Sequence, residues 1–366
     1  MNLIILSLIA LPFITGAIIP LLERKRPALL PSFVLLSTFA SIVLAAGLYY
    51  DTSPLNLPGI MSLGLSFSAQ SLQIVLTFLA SLVFFFSALA NQAYFKDAPH
   101  MARFYSFFLI TQGALFAVFL SADLFTTFIF FELMSLTSWV WVAQNETRSA
   151  IDAANTYLAI AIGGGMVMLL GLFLLFSRLG TLEFTAIANG MSTLSTPSKW
   201  LIALCLTVGF GAKAGVFPLH IWLPKAHPEA PAPASSLLSG ILTKSGIFGL
   251  FLVAKYVMRG NLYYAIFLLF LGCLTMLLGA ILALLTDNLK RTLACSSLSQ
   301  IGFITVAIAL VAADLDIALA AGGALIHVIN HALTKAVLFL SGGILYTRLQ
   351  TNDLNNLKGS GYKDPI

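Results

Sequence analysis

Two lysines stand inside apolar runs, Lys213 and Lys244. A segment dense in proline and histidine joins them: GFGAKAGVFPLHIWLPKAHPEAPAPASSLLSGILTKSGIFG, from Gly209 to Gly249. An ammonium in hydrocarbon costs several kcal/mol unless it is paired, hydrated or neutral, so lysines there suit proton exchange better than packing. Lys213 is bracketed by Gly209, Gly211 and Gly215 and followed by Pro218, a pattern that breaks a helix where the lysine stands. Irregular backbone at membrane depth needs protein or water to satisfy it, so the break is a hydration point and a hydrated lysine can exchange protons. The alternative is a lysine snorkelling to the interface. Lys244 has Ser239, Thr243 and Ser245 near it to line a wet path, and Gly240, Gly246 and Gly249 allow close helix approach.

Glu132, in LFTTFIFFELMSLTSWVWV, is the one carboxylate deep within an apolar run, with Asp123 at the edge of the same run. Its partner cation would be a lysine from another helix, in a charge relay or in a purely structural ion pair; a protonated, hydrogen-bonded acid is the third option. In IHVINHALTKAVLFL, His327, His331 and Lys335 fall at i, i+4 and i+8, on one helix face. Imidazoles suit proton passage, whereas core histidines without function are the alternative. His220 and His227 flank IWLPKA in what reads as a connecting loop stiffened by Pro224, Pro228, Pro231 and Pro233. They are candidate points of proton uptake or release, with His220 alternatively capping a helix end. Only Glu229 is near enough to be a third ligand, so no metal is expected.

The elements that must carry these residues are membrane helices. Of 366 residues, 59% are hydrophobic and 9% charged, which excludes a soluble globular domain. Runs of roughly 20 apolar residues, long enough to cross a bilayer, are expected at 2–22, 29–49, 69–93, 104–121, 123–143, 154–177, 199–218, 234–256, 262–285, 294–313 and 318–347. The expected fold is therefore an all-α polytopic membrane protein of about eleven transmembrane helices. The first run has Arg24-Lys25-Arg26 after it rather than before it, unlike a secretory signal peptide, and reads as a retained span. Between Leu179 and Ser198 a short amphipathic helix at the interface is expected. Cys205, Cys273 and Cys295 show no ligand spacing and read as packing residues. The formal charge of +5 is spread through loops, so no nucleic-acid patch forms. With the N-terminus outside, twelve of the nineteen lysines and arginines, Lys96 and Lys363 among them, fall on one side. Only Arg178, Lys199, Lys255 and Arg259 fall on the other, a bias that expects a cytoplasmic C-terminus in a cell inner membrane.

The stretches FFELMSLTSWVWV, GAKAGVFPLHIWLPKAHPEAPAPASSLLSGILTKSGIFG, DNLKRTLACSSLSQIGF and HVINHALTKAVLFLSGGILY resemble one known family. It comprises the antiporter-like subunits of respiratory complex I, Mrp-type cation/proton antiporters and membrane-bound hydrogenases. The likeness covers most of Phe104 to Tyr346, with wording closer to the hydrogenase-linked and Mrp-like members. It implies two inverted five-helix repeats, each with a discontinuous helix. Here these would be N-terminal helices over 1–96, a first repeat over 97–258 and a partial second repeat over 259–366. It implies that Glu132 modulates Lys213, that Lys213 is the broken-helix lysine and Lys244 the relay, and that His327, His331 and Lys335 continue the axis. It also implies no cofactor in this chain, with homologous antiporter-like and small membrane subunits and peripheral redox subunits as partners. Family members have further spans where this sequence stops, so the second repeat is expected to be incomplete and the chain to be C-terminally truncated. The expected function is proton translocation in a redox-driven complex. Na+/H+ exchange and a non-transporting scaffold are the alternatives.

Overall fold

Polar caps delimit the apolar runs. The Asn2 side chain accepts from the Ile5 N–H to open α1 (Leu3–Lys25), which is followed by α2 (Leu30–Gly47), α3 (Ser71–Tyr94) and α4 (Met101–Leu120). Asp123 caps α5 (Leu124–Ala143) by accepting from Thr126 N–H at 2.7 Å, and Thr147 caps α6 (Arg148–Leu179). Side-chain oxygens placed so occupy amide donors that have no partner within their own helix. In this computed structural model residues 2–95 and 98–360 are described. Lys96 and Lys363, and with them the last residues through Ile366, lie outside the described residues.

The remaining elements are α7 (Phe184–Gly190), α8 (Thr196–Ala214), α9 (Trp222–Glu229), α10 (Ala232–Leu237), α11 (Thr243–Leu252), α12 (Leu262–Leu284), α13 (Leu289–Ala312) and α14 (Ile317–Leu349). Among the described residues eleven helical segments are long and apolar enough to cross a membrane, with α8–α9 and α10–α11 each counting as one. The chain is thus an all-helical polytopic membrane protein of the expected span number. α7 sits where the short interfacial helix is expected, capped by the Glu183 side chain on the N–H groups of Thr185 and Ala186. A small antiparallel hairpin of β1 (Leu55–Leu57) and β2 (Leu65–Phe67) was not expected; three-residue strands are too short to show a period.

The segment Ala232–Val257 is the centre of the bundle, 94% buried over its best apolar window, whereas α12 and α14 present much of their surface outward. Close approach is made through glycine: a Cβ at Gly246 would lie 2.4 Å from the Ala214 nitrogen, so α11 packs directly on the backbone of α8. At one end of the bundle lie β2, α7 and the start of α5, joined by Ala122 N–H to Ser66 O and Phe184 N–H to Ala122 O. At the other end, Arg103 pairs with Glu146, Arg291 donates to Pro224 O, and Asn352 O accepts from Leu289 N–H.

Candidate functional site

Lys213 occupies the last turn of α8, where the helix dipole favours a cation. Gly215 ends the helix at φ +80°, and a Cβ there would lie 2.1 Å from Leu223 Cδ1, so the break requires glycine. Two of the backbone groups near the break are satisfied by side chains. Trp222 Nε1 donates to Ala212 O at 2.8 Å, and Phe217 N–H donates to Thr275 Oγ1 at 3.0 Å. The Lys213 ammonium donates to Ser135 Oγ at 2.9 Å and to the Tyr157 hydroxyl at 2.5 Å, and lies 4.8 Å from the centre of the Tyr157 ring. Tyr157 also meets Ser138 Oγ at 2.6 Å, and its ring packs on Trp222. Tyr157, Ser135 and Ser138 were not singled out from the sequence. Ser135 stands one helical turn beyond Glu132, and that spacing was the available signal.

Glu132 is half-buried on α5 and lies against bare backbone: a Cβ at Gly165 of α6 would be 2.2 Å from Glu132 Oε1. That oxygen is buried without a hydrogen-bond partner among the described residues. Glu132 and Lys213 interact electrostatically but form no direct ion pair; the pairs found among the described residues are Arg103–Glu146 and Arg259–Asp314. The acid thus stands one turn from the serine that holds the lysine, close enough to bias it.

Lys244 is wholly buried. A π-helical turn at Leu238–Leu242 precedes it and opens the backbone ladder, and its ammonium donates back to Ser239 O at 2.6 Å and to Thr243 Oγ1 at 3.3 Å. Ser239 Oγ meets Ser297 Oγ of α13 at 2.7 Å, and Ser297 donates to Leu293 O. The Lys335 ammonium donates to the same Leu293 O at 3.1 Å and to Ser296 Oγ at 2.5 Å. Lys244 and Lys335 are therefore linked through Ser239, which the sequence already placed beside Lys244, and through Ser296 and Ser297 of α13, which it did not single out. No such link joins Lys213 to Lys244 among the described residues.

On α14, His331 and Lys335 are buried, while His327 is half-exposed with its ring 6.0 Å from that of Phe303. Neither ring nitrogen of His331 has a partner among the described residues. The supposed loop holding His220 and His227 is instead the second half of the broken helix. The reason is local: Pro224 lies in the first turn of α9, where a missing N–H costs nothing, and Pro231 and Pro233 sit at the start of α10. His220 stands in the turn joining α8 to α9, its ring stacked on Phe217 at 5.8 Å. His227 is wholly buried on α9 and stacked on Phe339 of α14 at 4.7 Å. No cluster of His, Cys, Asp or Glu suited to a metal occurs among the described residues.

A broken helix carries a caged lysine, the central helix a second lysine, and α14 a face with two histidines and a lysine. The profile of the family described as NADH:quinone oxidoreductase/Mrp antiporter, transmembrane, matches residues 121–366. The chain belongs to this family. It is 34% identical over 271 residues to hydrogenase-4 component B of Escherichia coli, covering 72% of this chain and 40% of that protein. It is 30% identical over 363 residues to NAD(P)H-quinone oxidoreductase chain 4 1 of Picosynechococcus, covering 96% of this chain and 66% of that protein. The chain thus spans two thirds or less of the length of these curated relatives. Its fold superposes on a chain of respiratory complex I from Thermus thermophilus with a TM-score of 0.85 at 22% identity, covering 99% of this chain and 75% of that one.

Proposed function

We propose that this protein is the proton-translocating, antiporter-like subunit of a redox-driven multisubunit membrane complex. The proton moves along Glu132, Lys213, Lys244, His327, His331 and Lys335. Charge displacement drives it: when Glu132 withdraws from Lys213, the ammonium loses its stabilising partner and releases its proton toward Lys244. The observation that carries this reading is the Lys213 cage, a buried ammonium on a broken helix, held by two hydroxyls and biased by a carboxylate it does not touch. The reading includes two repeats, over 97–258 and 259–366, a basic face turned to the cytoplasm in an inner membrane, and docking against other antiporter-like, small membrane and peripheral redox subunits. The test is Lys213→Ala in the assembled complex. Proton translocation should be lost while assembly and electron transfer persist; undiminished translocation would sink the assignment. Because the family description also names Mrp antiporters, Na+/H+ exchange is the second reading, checked by a Na+-dependent pH change in vesicles carrying the complex.

A further inference from the structure

Lys290, at the start of α13, has no part in the path above, yet it is a nearly fully buried ammonium, 3% exposed. It donates to Ala230 O at 2.9 Å, in the gap between α9 and α10, and lies 5.6 Å from the centre of the Tyr346 ring. No ion pair reaches it among the described residues. Tyr346 is also in the wall of a cavity of about 430 Å³ at the basic end of the bundle, together with Tyr94, Asn145 and Glu146. Asn145 donates to Glu229 O at 2.9 Å, and the Glu229 carboxylate accepts from Ser149 Oγ at 2.9 Å and interacts electrostatically with Lys290. On the inner side, Ser235 Oγ donates both to Ala230 O, at 3.4 Å, and to His227 O, at 3.1 Å. His227 is 0% exposed, and neither ring nitrogen has a partner among the described residues. Its ring rests on Phe339, one turn along α14 from Lys335. A buried imidazole with both nitrogens unpaired is costly as a packing element and leaves a ring nitrogen open to a proton in transit.

We propose that Lys290 is the proton-uptake residue of this subunit, taking protons from the cavity beside Tyr346 and Asn145 and delivering them to His227. In the step, one N–H bond of the Lys290 ammonium breaks and one N–H bond forms on the His227 imidazole. The amine is then reprotonated from cavity water, and no electrons move. Lys244 and Lys335 both interact electrostatically with His227, which places it beside these two lysines. The proposal rests on the translocation reading above.

A purely positioning role would be filled by any cation that clamps Ala230 O over Tyr346, and arginine can do that. Arginine does not release its proton in proteins, so it cannot relay. In inverted vesicles carrying the assembled complex, Lys290→Arg should therefore lower proton translocation at least tenfold, and translocation at half the native rate or more would overturn the proposal. If Lys290→Arg does not assemble, Lys290→Ala decides. Added methylamine, a soluble ammonium, should restore its translocation in a saturable way, and no restoration would overturn the uptake role. Lys213→Ala is measured alongside. Loss there with native rates in Lys290→Arg overturns the uptake role alone, whereas native rates in Lys213→Ala overturn the translocation reading beneath it.

Discussion

Gly165→Ala perturbs the candidate path without replacing a titratable residue. The new Cβ would lie 2.2 Å from Glu132 Oε1, 2.7 Å from its Cδ and 2.9 Å from Oε2. Ordinary contact needs about 3.5 Å, so the carboxylate must retreat by about 1 Å. It is the far end of a flexible side chain, so the fold loses only about 1 kcal/mol, the low end of overpacking costs. The proton path loses more, because a misplacement of about 1 Å in a reacting group costs on the order of 10²-fold. Proton translocation by vesicles carrying Gly165→Ala should fall about 10- to 100-fold with assembly preserved. Gly163→Ala, on the same helix with nothing within 4 Å of the added Cβ, should translocate at the native rate. In a Glu132→Gln background Gly165→Ala should add nothing, since both changes act through one group. Native rates in Gly165→Ala, or an equal further loss in the Glu132→Gln background, would refute the placement of Glu132.

Three further outcomes follow from the geometry. Tyr157→Phe removes one of the two hydroxyls holding the Lys213 ammonium; a hydrogen bond to a charged group is worth about 1.5–3 kcal/mol, so translocation should drop by about tenfold or more, read in the same vesicles. Ser297→Ala cuts the link from Ser239 to Leu293 O and should slow translocation severalfold without altering electron transfer. Asp123, just outside α5, keeps its cap while burial pushes its carboxyl above the usual range. Asp123→Ala should therefore lower stability in detergent by about 1 kcal/mol. Because the folded state holds this proton to higher pH than the unfolded chain, the Asp123 contribution falls as pH rises from about 3.8 through the raised value; Asp123→Asn, which still caps, should remove that slope.

The spans were legible because each apolar run is bounded by a cap, a proline or a charge; α6 and α13 start well before their apolar runs, their first turns carrying Arg148 and Asp152 in one and Lys290 and Arg291 in the other. Lys213, Lys244 and the His327, His331, Lys335 face could be named because an ionisable residue in an apolar run is conspicuous by itself. What holds them was not legible. Tyr157, Ser135 and Ser297 are common residues whose importance comes from neighbours distant in sequence, such as the 78 residues separating Lys213 from Ser135. The prolines around His227 misled for a related reason: proline is tolerated in a first turn, where Pro224 and Pro233 fall, and Pro228 sits in the last turn of α9, one residue before its end.

The most direct measurement is proton translocation per electron transferred in the complex carrying Lys244→Met, since Lys244 sits wholly buried on the most enclosed helix of the bundle. Electron transfer should continue with proton movement through this subunit lost. An unchanged ratio of protons to electrons would show that Lys244 carries no proton.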